Sequence, residues 1–86
     1  MEVHLAEQFD EAYSKLTKVE KRSVLKALGL LGNNPRHPGL HSKKMEGIRD
    51  IWEARPSRRL RMTFQMAGDV TTVRNVGEHD KVLKRP

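Results

Sequence analysis

Leu60-Arg61-Met62-Thr63-Phe64-Gln65-Met66 alternates apolar and polar side chains without a break. A period of two puts Leu60, Met62, Phe64 and Met66 on one side of a strand, with Arg61, Thr63 and Gln65 on the other and Arg59 just ahead of them. The strand therefore has one face for a core and one polar, basic face. Reading outward from it, Trp52 and Ala54 alternate with Ile51, Glu53 and Arg55 before a turn at Pro56-Ser57-Arg58. On the other side, Ala67-Gly68-Asp69 turns the chain into a further strand, Val70 to Val76.

Toward the N-terminus, Val3 and Leu5 alternate with Glu2 and His4 as a short first strand. Phe9, Ala12, Tyr13 and Leu16 then fall at i, i+3, i+4 and i+7, the stripe of a helix lying on a core. Thr17-Lys18-Val19-Glu20 has the form of a capping box, in which the Thr17 hydroxyl and the Glu20 carboxylate serve free amides at a new helix start. Val24, Leu25, Leu28 and Leu31 supply the apolar spacing of that second helix, and Gly32-Asn33-Asn34-Pro35 stops it. The order β, α, α, β, β, β predicts an α+β fold, a helical hairpin on one face of a mainly antiparallel sheet with the other face open to solvent.

Eighty-six residues leave room for one hydrophobic core, so residues 1–86 are read as one domain. Only 36% of the residues are hydrophobic and few are aromatic, so the core must come mainly from Leu, Val, Ile, Met and Ala. Lys and Arg number 17 against 11 Asp and Glu, a net charge of +6 that favours polyanions: nucleic acid first, an acidic protein second. The chain has no cysteine, hence neither a disulfide framework nor a thiolate metal site. No apolar run approaches the roughly 20 residues of a membrane span, and the start lacks a secretory pattern, so a cytoplasmic protein is expected.

Between Asn33 and Gly47 lie two prolines and the basic run Arg36, His37, His41, Lys43, Lys44. The pattern predicts a long basic loop, anchored by Leu40 and Met45 and ordered for function. His37-Pro38-Gly39-Leu40-His41 resembles a ligand pair, but proline and glycine forbid the helical spacing that would bring the imidazoles together, so no metal is expected.

Strand alternation sends Glu53 and Arg55 to the same side as Arg61, and an antiparallel hairpin closed at Pro56 to Arg58 brings them near one another. Guanidinium groups match phosphate oxygens and can stabilise the charge of a pentacoordinate phosphorus. A nearby carboxylate or imidazole can take a ribose 2′-hydroxyl proton. His79 follows Gly77 at a strand end, where an imidazole can reach over the sheet's rim. The same pattern also suits a solvated sheet face with an ordinary Glu–Arg pair, and spacing alone leaves both open.

Several segments together resemble the small toxins of the RelE/ParE superfamily over nearly the whole chain. They are Leu28-Gly29-Leu30-Leu31-Gly32-Asn33-Asn34-Pro35-Arg36, the loop from Pro38 to Gly47, Ile51-Trp52-Glu53-Ala54-Arg55 with Leu60-Arg61-Met62-Thr63-Phe64, and Val76-Gly77-Glu78-His79-Asp80-Lys81-Val82-Leu83. The resemblance implies a toxin of a toxin–antitoxin module that cuts messenger RNA on the ribosome, without metal or cofactor, by attack of a ribose 2′-hydroxyl on the adjacent phosphate. It implies a cognate antitoxin as partner. It casts Arg61 as the phosphate-facing strand arginine, puts His79 where related toxins carry an arginine or histidine, and makes His41, Lys43 and Lys44 the basic loop that approaches RNA. Joined to the reading of the strand faces, it gives Arg55 beside Arg61 on phosphate, Glu53 sharing acid–base work with His79, and Arg59 as a further RNA-binding cation. Two departures stand out: Leu83 or Asp80 occupies the place of a C-terminal tyrosine, and Trp52 and Ala54 replace strand lysines. The alternatives are a ParE-like inhibitor of DNA gyrase and an RNA-binding relative without catalysis.

Overall fold

The computed structural model describes residues 2–47 and 50–86. Strand β1 (Glu2–Leu5) leads into helices α1 (Glu7–Ser14) and α2 (Lys18–Asn33). A short 3-10 turn (Pro38–Leu40), β2 (Lys43–Lys44), β3 (Trp52–Ala54), β4 (Leu60–Ala67), β5 (Val70–Glu78) and helix α3 (His79–Lys84) follow. The strands form one sheet in the order β1-β5-β4-β3-β2. All neighbours are antiparallel except β1, which runs parallel to β5 with Val3 opposite Thr71 and Leu5 opposite Val73. The helical hairpin carries the chain from β1, at one edge of the sheet, to β2 at the other, and β5 comes back beside β1 only after β2, β3 and β4.

The capping box forms: Thr17 Oγ1 accepts from the Glu20 amide at 3.2 Å, and Glu20 Oε1 accepts from the Thr17 amide at 2.8 Å. It contributes about 1 kcal/mol and starts α2 immediately after α1. Phe9 of α1 and Val24, Ala27 and Leu31 of α2 bury themselves against Ala54, Leu60, Met62, Phe64, Val73 and Val76 of the sheet. Burying each of the larger side chains stabilises the fold by about 1.5–3 kcal/mol. Leu25 departs from the expected stripe and is 58% exposed, because the face that meets the sheet is centred on Val24, Ala27 and Leu31.

Between Thr63 and Phe64 the register of β4 against β5 shifts: Phe64 faces Val73 whereas Thr63 faces Asn75, leaving Arg74 as an extra residue. Such a bulge re-aims side chains. Here it keeps Val73 and Val76 in the core while Arg74 and Asn75 both work on the far side of the sheet.

That far side is not open, contrary to expectation. Residues His79–Lys84 fold as α3, and the residues after it cross the sheet. Thr63 Oγ1 and Arg74 Nε donate to the Pro86 oxygen at 3.3 and 3.0 Å, and Asn75 Nδ2 donates to the Arg85 carbonyl at 2.9 Å. Val82 is buried over Gly77, and Ile51, Glu53, Thr63 and Asn75 are buried as well. Among the described residues, no buried side-chain polar atom lacks a partner.

Strand β1 covers β5 only from Val70 to Val73. Beyond it, side-chain amides take the place of a neighbouring strand: Gln8 Nε2 donates to the Arg74 carbonyl at 3.2 Å, and Asn75 Oδ1 accepts from the Val76 amide at 2.9 Å. Gln8 Nε2 also donates to the Arg85 carbonyl at 3.0 Å, tying α1 to the C-terminal segment.

Candidate functional site

Three adjoining hollows form a trough at the β3–β4 end of the far face. The middle one, of about 250 Å³, is lined by His41, Lys43, Glu53, Arg55, Arg61 and His79. Arg58 and Arg59 join Arg61, Glu78, His79 and Asp80 on one flank, while Gly39, His41, Arg55 and Ser57 extend the other. The trough thus gathers side chains from the basic loop, β2, β3, β4 and the start of α3.

Arg61 sits on β4 opposite Gly77, so no side chain crowds it from β5. Its Nε lies 3.4 Å from Glu53 Oε1, with the two side chains 15% and 6% exposed. Its Nη1 donates to the carbonyls of Arg58 and Leu60 at 3.1 and 2.9 Å. These contacts hold the guanidinium plane, and among the described residues no hydrogen-bond partner is seen for Nη2. Glu53, expected to project into solvent, is instead buried between Lys43 and Thr63, its direct neighbours across the sheet. A buried carboxylate beside a guanidinium serves first to orient and neutralise that cation.

His79 is the first residue of α3 and its imidazole is half-exposed, 3.9 Å from Asp80. His41 ends the 3-10 turn with φ 50, and its exposed ring faces the same hollow. The loop that carries His41 is ordered as expected: Leu40 and Met45 are buried, and the Arg55 amide donates to the Leu40 carbonyl at 2.9 Å. Two imidazoles, one fixed guanidinium and further cations from Lys43 and Arg55 therefore converge where an RNA backbone could lie.

Lys44 does not join them. Because β2 sets Lys43 against Glu53 and Lys44 against Trp52, alternation carries Lys44 to the helix-covered side. Arg59 reaches only the flank shared with Asp80. Arg58, read from sequence only as a turn residue, holds Arg61 through its carbonyl and lines two hollows through its side chain. Its place beside Arg59 was the available signal. Among the described residues, no group of three or more His, Asp or Glu side chains is gathered as a metal ion requires. Nor is any described helix long and apolar enough to cross a membrane.

No family model and no curated sequence matches the chain. Solved structures do. The RelB–RelE antitoxin–toxin complex of Methanococcus jannaschii contains a chain 15% identical, with a TM-score of 0.78, over 96% of this chain and 99% of that one. YafQ from Escherichia coli BL21(DE3) matches at 12% identity and a TM-score of 0.79, covering 94% and 96%. The E. coli RelBE toxin–antitoxin complex matches at 21% identity and a TM-score of 0.72, covering 90% and 94%. At these identities the likeness is one of fold.

Proposed function

We propose that this chain, which has the fold of the RelE/ParE toxins, is the toxin of a toxin–antitoxin pair and a metal-independent endoribonuclease acting on messenger RNA at the ribosome. The observation that carries this reading is Arg61, immobilised by Glu53 and two carbonyls in a trough that also holds His41 and His79. A guanidinium pre-set in this way stabilises charge that grows on a phosphate during reaction, with little reorganisation at the moment of need.

In the proposed step a ribose 2′-oxygen attacks the adjacent phosphorus, its proton passing to one imidazole. The bond from phosphorus to the 5′-oxygen breaks, and the leaving oxygen takes a proton from the other. The products are a 2′,3′-cyclic phosphate and a 5′-hydroxyl. Arg61 Nη2 binds the phosphate oxygens, Lys43 and Arg55 add positive charge, and Glu53 keeps Arg61 in place. The two histidines supply the proton transfer that the absent tyrosine would otherwise share. An antitoxin with an acidic segment, binding across the basic trough, would hold the activity in check.

The test is single-turnover cleavage on programmed ribosomes with end-group analysis. Arg61→Ala is expected to lower the rate by roughly 10² to 10³. Because that change strands the buried Glu53 carboxylate, the double variant Glu53→Gln/Arg61→Ala serves as the folding control. A folded double variant that cuts at the wild-type rate removes Arg61 from the mechanism. A wild type that leaves RNA intact but inhibits DNA gyrase overturns the nuclease reading altogether.

A further inference from the structure

Helix α2 carries its charge against its own interest. Lys18, Arg22 and Lys26 stand at i, i+4 and i+8, all exposed, and none makes a hydrogen bond or ion pair among the described residues. Like charges four residues apart destabilise a helix, and a cation in the first turn opposes the helix dipole. Lys18 occupies the first turn, the last turn has no basic residue, and the one acidic residue of the helix, Glu20, is engaged in the capping box. No acidic side chain lies three or four positions from any member of the row. Stability therefore gives no account of this arrangement; an external anion does.

The row runs about 12 Å along the helix, with a cation roughly every 6 Å. It points directly away from Val24, Ala27 and Leu31, which meet the sheet, so it lies on the side of the molecule opposite the trough. The shortest dimension of the molecule is 24 Å, so a strand seated in the trough does not also lie on this ridge. Next to the row are Leu25 and Gly29, the latter with open space where a side chain would be. No aromatic ring stands on this face to stack an unpaired base, which is how single strands are held. Lysine is depleted at protein–protein interfaces, and a rigid convex row of point charges reads backbone rather than bases.

We infer that the outer face of α2 is a second RNA-binding surface that takes the phosphate backbone of double-helical RNA, separate from the trough. The surface does not depend on the nuclease reading. It gives the protein two nucleic-acid contacts on opposite sides, one for a segment entering the trough and one for a folded RNA body behind it.

The experiment measures binding of a short blunt-ended RNA duplex of mixed sequence against salt, for wild type and for Lys18→Gln/Arg22→Gln/Lys26→Gln. Glutamine keeps helix propensity, and circular dichroism checks the fold. The slope of log affinity against log salt is expected to fall by about two to three, while binding of single-stranded RNA in the trough stays at the wild-type level. An unchanged slope overturns the proposal. So does a triple variant that keeps duplex binding but loses binding to a poly-glutamate peptide, which would make the ridge a dock for an acidic protein. A wild type that never cuts RNA, yet whose duplex binding falls in the triple variant, upholds the ridge and removes the nuclease reading alone.

Discussion

The two faces of the sheet are both buried, but by different physics. On the helix side, Leu60, Met62, Phe64, Val73 and Val76 meet Phe9, Val24, Ala27 and Leu31 through contacts with no preferred direction. On the far side, Thr63, Arg74 and Asn75 are joined to the C-terminal segment by hydrogen bonds, and Arg61 to Glu53 by an ion pair. Apolar burial tolerates small displacements. Directional bonds do not, which is why the side chains that need exact placement, above all Arg61, belong to the polar face.

The largest expected effect is on the apolar side. Phe64→Ala should cost about 3–5 kcal/mol, a large share of the roughly 5 kcal/mol that a chain of this size can be expected to have. Urea titration followed by circular dichroism should find its midpoint close to zero denaturant, with up to about half of it unfolded in buffer. Asn75→Ala should cost less, about 1–3 kcal/mol, because it leaves the buried Val76 amide without its partner, while the Arg85 carbonyl keeps the Gln8 amide. If its urea midpoint falls as far as that of Phe64→Ala, the far face is a second core and the contrast fails. Smallest is the effect of the paired lysines. Lys43→Ala should lower the salt slope of single-stranded RNA binding by about one and Lys44→Ala by none. Equal losses from the two would show that strand alternation does not decide which lysine meets RNA.

The helix-side architecture is legible in the sequence because its signals are local. The alternation from Leu60 to Met66, the pairing of Thr17 with Glu20 and the stop after Leu31 each lie within a few residues. The far side is not local. Ile51 lies beside Arg85 and Pro86, more than thirty residues further on, and Glu53 is enclosed by Lys43 and Thr63 from the neighbouring strands, and nothing near either residue announces it. Helix α3 leaves no trace in the sequence for a related reason: of its six residues Val82 is the one that is buried, too few to set a period. The parallel seating of β1 depends on where the hairpin returns the chain, which no dipeptide encodes. For the site, alternation puts Arg61 on the polar face and the resemblance points to His79 and Lys43, while the separation of Lys43 from Lys44 and the proximity of His41 to His79 emerge only with β2 and the loop's anchoring by Leu40.

The amides of Gln8 and Asn75 that complete the margin of β5 bear on how this protein keeps its own company. An unpaired strand margin is a template on which another chain can crystallise its backbone, the first step toward fibrous aggregates. Here the stretch past Val73 that β1 leaves unpaired presents occupied acceptors and donors rather than vacant ones. The opposite margin is two lysines long, and the outer margin of β1 carries Glu2 and His4. Each margin of the sheet thus carries a device that opposes the joining of sheets edge to edge.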